Sequence, residues 1–168
     1  MEIQSRHHLR SDAVDDVETA VDEGLGVELD ADNYELVELG DSPFDLVLVD
    51  GEPLVLYHET PGGNGEGDRE PFLTVKGANA HPPERRVVTV DAGAVEFVTD
   101  GADVMRPGIV DADEEIAAGD LVAVNEETHG KFLAVGRALV DGTEMLGEEG
   151  RVVEALHHVG DDLYGFSV

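Results

Sequence analysis

The 168-residue chain contains no cysteine and no tryptophan. Without cysteine there are no disulfides, no thiolate nucleophile and no Cys-ligated metal. Only four serines occur, Ser5, Ser11, Ser42 and Ser167, and none stands in the turn context of a hydrolase nucleophile. Apolar runs are only a few residues long, and the opening MEIQSRHHLR lacks the apolar core of a secretory signal, so a cytoplasmic protein without a membrane partner is expected. Basic residues are the scarcest resource: 10 Lys and Arg face 39 Asp and Glu, a formal net charge of -29. Carboxylates this abundant carry no positional information about acid or base chemistry. The chain is therefore expected to be no enzyme, to hold no cofactor and to take no small-molecule substrate.

The acid is spread evenly, with 21 Asp and Glu before residue 85 and 18 from there on, and it alternates with Val, Leu and Ala. That pattern belongs to folded elements with one buried face and not to a disordered acidic tail. It is the composition of a protein that works in molar salt, and a halophilic source is expected. At about 1 M salt the Debye length is roughly 3 Å, so the global charge does not bar a nucleic acid from a local arginine.

In SDAVDDVETAVDEGLG, Val14, Val17, Val21 and Leu25 recur at helical spacing, with Ser11 as the expected N-cap and Gly24 or Gly26 as the stop. YELVEL, FDLVLVDGEPLVLYHE and PFLTVKG read as strands, and Asp50-Gly51 marks a tight hairpin. Residues 60–70, TPGGNGEGDRE, form a Gly-rich surface loop whose spacing fits neither phosphate-binding fingerprint. The consecutive prolines of NAHPPERR mark a domain boundary. Beyond it RVVTV, the interrupted DVMRPGIV, GDLVAVN and KFLAVGRALV read as strands, DAGAVEFVTDG as a short helix or turn, and the closing RVVEALHHVGDDLYGFSV as two further strands of a small barrel.

Metal sites are not expected. His157 and His158 are adjacent on a strand and face opposite sides, so they do not chelate one ion. The acidic clusters at 111–115 and 30–33 have Ile116 and Glu35 where a calcium loop needs glycine. His157, His158 and Tyr164 are either base-stacking groups or half-buried strand residues.

The stretch VDAGAVEFVTDGADVMRPGIV is the most informative. Gly93 and Ala94 leave backbone N–H groups uncovered at a strand-to-helix turn, where a phosphate oxygen fits. Gly101, Ala102, Pro107 and Gly108 keep the neighbouring surface low, and Arg106 offers its fork to a phosphate or its face to a base. Alternatively, the small residues serve tight packing and Arg106 pairs with a carboxylate. Arg85, Arg86 and Lys131 are further candidates for contacts to a nucleic-acid backbone, whereas Arg137, inside a strand, suits a structural pair.

In order and spacing that stretch, GDLVAV, AVGRALV and RVVEALHHVGDDLYGF resemble the PUA domain of pseudouridine synthases and archaeosine transglycosylases. The N-terminal half, with its RHHLRSD opening and strand hairpin, resembles the domain preceding PUA in a stand-alone archaeal family. That family is related to the eukaryotic malignant T-cell-amplified-sequence protein. The resemblance implies an α+β fold, with a small α+β domain over residues 1–82 and a PUA-type mixed β-barrel carrying one or two short helices over residues 83–168. It also implies an RNA-binding protein of the translation machinery, contacting the tRNA acceptor end or rRNA on the small ribosomal subunit in initiation, reinitiation or recycling. A translation-factor partner follows from the same resemblance, since the eukaryotic relative pairs with density-regulated protein. Two departures stand out: the basic surface is thin, and the chain ends in LYGF where relatives often carry Trp. Two other functions suit the residues, an accessory module delivering tRNA or rRNA to a modification enzyme and a protein-interaction scaffold with weakened RNA binding.

Overall fold

Helical and alternating apolar periods divide the chain into a helix, a meander and a second, mixed sheet. The computed structural model describes residues 2–59 and 69–167. Strand β1 (Ile3–His8), helix α1 (Ser11–Leu25) and strands β2 (Tyr34–Leu39), β3 (Phe44–Val49), β4 (Glu52–Glu59) and β5 (Arg69–Leu73) come first. The five strands pair antiparallel in chain order. Asp50 and Gly51 both take positive φ, 49° and 86°, as a two-residue hairpin turn requires. Helix α1 buries Val17, Val21 and Leu25, and Gly26 closes it in the left-handed conformation.

Helix α2 (Val75–Ala80) and an irregular linker lead into the second sheet. Its strands are β6 (Val87–Val90), β7 (Val104–Met105), β8 (Ile109–Ala112), β9 (Leu121–Glu126), β10 (Phe132–Ala138) and β11 (Arg151–His158). They lie in the order β7-β11-β10-β9-β6-β8, with β6 parallel to β9 and every other pair antiparallel. Helix α3 (Val95–Thr99) follows β6 after a 3-10 turn over Ala92–Ala94. The expected α+β architecture is present: a meander with its helix, and a nearly closed mixed barrel with short helices. Among the described residues no helix is long and apolar enough to cross a membrane.

Strand β9 shows how the two sheets share their interior. Alternate residues point to opposite faces. Val122 and Val124 join Val88, Val90, Val104, Val152 and Met145 in the barrel core. Leu121 and Ala123, with Phe132, Val135, Leu163 and Phe166, join the core of the first sheet and α1. The buried core is therefore continuous across the Pro82-Pro83 boundary that the sequence marks. Asn79 reinforces the seam by exchanging two hydrogen bonds with the backbone of Phe132, at 2.8 and 3.0 Å.

Three local expectations also change. Arg10, not Ser11, occupies the N-cap of α1, and no side chain caps it. PFLTVKG is a strand only to Leu73, because Thr74 accepts a hydrogen bond from the Gly77 N–H and starts α2. The C-terminal segment supplies one strand instead of two. Asp161 accepts hydrogen bonds from the His158 and Tyr164 N–H groups and folds residues 159–165 into turns. Of the Gly-rich loop at 60–70, residues 60–68 lie outside the described residues.

Candidate functional site

The chain leaves β6 at Asp91, makes a 3-10 turn over Ala92–Ala94, runs through α3 and returns along β7 to a second 3-10 turn, Arg106–Gly108. The two turns meet closely. The Asp91 N–H donates to the Gly108 carbonyl at 2.8 Å, and a Cβ on Gly108 would stand only 3.0 Å from that of Ala94. Small residues are thus needed here for the turns to approach.

Between these turns and α3 lies a groove of about 650 Å³. The expected residues Gly93, Ala94, Ala102, Pro107 and Gly108 line it, together with Phe97, Met105, Asp91, Asp103 and Arg151. Its wall is chiefly hydrocarbon. Val98 turns inward to the barrel core, while Phe97 and Met105 remain 64% and 48% exposed. Exposed aromatic surface in a groove is what a planar ligand covers on binding.

The turn's backbone donors are less open than the sequence implies. Asp91 acts as the N-cap, and its carboxylate accepts the Ala94 N–H at 2.9 Å. A carboxylate therefore stands where a phosphate would reach that donor. Arg106 does not line the groove. Its Nε and Nη1 donate to the carbonyls of Glu144 and Glu149 at 2.9 and 3.0 Å, and its N–H donates to the Gly150 carbonyl. A Cβ on Gly150 would lie 2.7 Å from Nη1, so glycine lets the 144–150 segment wrap the guanidinium.

The remaining expected residues lie elsewhere. Gly101 ends α3 at φ 91°, where a Cβ would meet the His158 ring at 2.8 Å. Arg85 Nη1 donates to the Glu23 carbonyl at 2.6 Å, and Arg86 pairs with Glu70 at 2.7 Å, so both sit at the seam beside α1 and β5. Lys131 is exposed at the β9–β10 turn. That turn closes on Glu126, whose Oε1 accepts the His129 and Lys131 N–H groups at 2.6 and 3.0 Å. The Lys131 N–H is the main influence holding the Glu126 carboxyl below its ordinary range; burial opposes it and the His129 N–H assists.

His157 is fully enclosed and cannot stack on a base; it belongs to the seam. His158 Nδ1 lies 2.9 Å from the Val159 carbonyl, and Tyr164 lies beneath the Lys76 ammonium at 5.2 Å. Arg137 donates to the Gly119 carbonyl at 2.7 Å. In the two acidic clusters, Asp113 accepts the Arg86 and Glu115 N–H groups, and the Asp32 and Asn33 N–H groups donate to Asp50.

The groove residues missed from sequence include Phe97, Met105, Asp91, Asp103 and Arg151. Phe97 had a legible signal, an aromatic residue between the inward Val95 and Val98 of a short helix. Met105 and Arg151 had none, because they meet only through the β7–β11 register.

Residues 86–160 match the PUA domain family. An uncharacterized protein of Methanocaldococcus jannaschii is 40% identical over 124 residues, which cover 73% of this chain and 71% of that protein. Translation machinery-associated protein 20 of Saccharomyces cerevisiae is 34% identical over 103 residues, 56% of each chain, so the match spans little more than half of the yeast protein. Among solved structures, a hypothetical protein from Pyrococcus horikoshii is similar with a TM-score of 0.79 at 28% identity, covering 98% of this chain and 100% of that one.

Proposed function

The chain belongs to the PUA-domain proteins related to translation machinery-associated protein 20, and from that premise we propose that it binds RNA through the groove beside α3 in a translation-related role. One observation carries the assignment to this groove: Phe97 and Met105 are exposed on its wall, flanked by Gly93, Ala94, Ala102, Pro107 and Gly108. Single-stranded RNA is recognised by unstacking a base onto such a surface, and each stacked base contributes about 1–3 kcal/mol. The small flanking residues leave room for the sugar-phosphate chain.

The finer reading is contact with the tRNA acceptor end or with rRNA on the small ribosomal subunit, alongside a translation factor. The relation to a translation machinery-associated protein favours this over delivery of RNA to a modification enzyme or a scaffold without RNA affinity. Ultraviolet crosslinking in cells, followed by sequencing of the RNA and mapping of the crosslinked peptide, tests both levels. RNA joined to residues 91–110 and derived from tRNA 3′ ends or small-subunit rRNA is the expected result. Crosslinks confined to other surfaces would overturn the groove assignment, and RNA drawn from the substrates of one modification enzyme would favour the delivery role.

A further inference from the structure

Within that RNA-binding reading, on which this inference rests, we infer that Arg151, and not Arg106, makes the groove's phosphate contact. Among the described residues, Arg151 is the only cation lining the groove. It opens β11, directly across the β7 ladder from Met105. A positive fork therefore stands beside the apolar wall, and a nucleotide presents the matching pair of features, an anionic phosphate and a planar base.

The guanidinium is held and still accessible. Its Nη1 donates to Asp103 Oδ2 at 2.9 Å, while Asp103 Oδ1 accepts the Ala155 N–H at 2.8 Å. One arm of the fork is thus fixed through a carboxylate that is itself anchored to β11. The Arg151 side chain remains 54% exposed, so the other donors of the planar fork can meet a phosphate.

The distribution of charge along the groove gives the same polarity. Asp91 caps the Ala94 end and repels a phosphate there. Arg151, the groove's cation, stands on β11 with Asp103 on one arm of its fork, so the phosphate lies toward β11 and the base toward Phe97. Arg106 begins the second turn with two side-chain donors committed to backbone carbonyls, and it holds the 144–150 segment.

The test is fluorescence anisotropy with a labelled RNA hairpin bearing a short single-stranded 3′ overhang, titrated with the full chain over a series of KCl concentrations. Arg151→Gln is expected to weaken binding about tenfold or more, as loss of a charge-assisted hydrogen bond does. The slope of log affinity against log salt should become shallower by about 0.7, the value for one contact to a single strand. Arg151→Lys keeps the charge but loses the planar fork, so it should retain the wild-type slope while binding several-fold more weakly, and it decides the matter if Arg151→Gln no longer unfolds cooperatively: wild-type affinity in Arg151→Lys would then overturn the inference. Arg106→Gln should lower the melting temperature while leaving affinity and slope near wild type. Wild-type binding and slope in Arg151→Gln would overturn the inference while RNA binding stands, as would a slope change found in Arg106→Gln instead. A wild-type protein that binds no RNA would overturn the inference and the RNA-binding reading together.

Discussion

The backbone N–H of Val75 donates to His157 Nε2 at 3.2 Å, joining the first turn of α2 to the last strand of the barrel. Because Nε2 accepts, the ring proton lies on Nδ1, which faces Asp161 at 2.9 Å. His157 is only 1% exposed, so the seam between the sheets contains a buried polar link with both ring nitrogens partnered. Burial, the largest influence on Asp161, raises its carboxyl, but the hydrogen bonds from His157, His158 and Tyr164 outweigh it and hold the carboxyl below its ordinary range.

His157→Ala should therefore destabilise the whole chain. The change leaves the Val75 N–H without its acceptor and opens a cavity, at a combined cost on the order of 2–4 kcal/mol. Thermal unfolding in high salt measures it; an unchanged melting temperature would show that the seam does not depend on this bond.

The same seam bears on a fragment beginning at residue 83. Without the first sheet, Leu121, Ala123, Phe132, Val135, Leu163 and Phe166 lose the side chains that cover them. We expect residues 83–168 to unfold cooperatively but at a clearly lower temperature than the full chain, since the barrel core itself is retained. A fragment as stable as the full chain would mean that the shared core contributes nothing.

Much of this fold was legible because its signals are local. The apolar period of α1, the Asp50-Gly51 turn and the Val-rich strands each declare themselves within a few residues. The Thr74 cap was hidden because Val75 and Gly77 are poor helix formers, and α2 is stabilised by docking on β10 through Asn79. The absent last strand was hidden for a similar reason, since Asp161 organises turns that no periodicity marks. At the groove, small residues gave away the close approach of two turns, whereas charge did not. Whether an arginine faces a ligand or its own backbone depends on the 144–150 segment and on strand register, both non-local.

The β9–β10 turn should respond to pH through Glu126. Its folded carboxyl is held below the ordinary value of about 4.3, so its stabilising effect is present above that pH and is lost as pH falls through the lower folded value. Glu126→Gln should melt below wild type at pH 7, with the difference closing as pH falls below about 4. A gap that stays constant down to pH 3 would remove ionisation from the explanation.

Evenly spread acid should also make stability depend on salt. At about 1 M the carboxylates repel over roughly 3 Å, and at 0.01 M over about 30 Å. Circular dichroism should show loosening or unfolding as KCl is lowered from molar to millimolar concentrations. A flat signal across that range would contradict the reading of this composition as adaptation to salt.

The most direct test of the groove is Phe97→Ala, measured by anisotropy in molar KCl against an RNA hairpin with a single-stranded 3′ overhang. Phe97 is 64% exposed, so its removal should leave the melting temperature nearly unchanged. Loss of one aromatic stacking platform, about 1–3 kcal/mol, should weaken binding roughly tenfold or more. Affinity equal to wild type in a normally folded Phe97→Ala protein would contradict the account, because the exposed ring would then play no part in holding RNA.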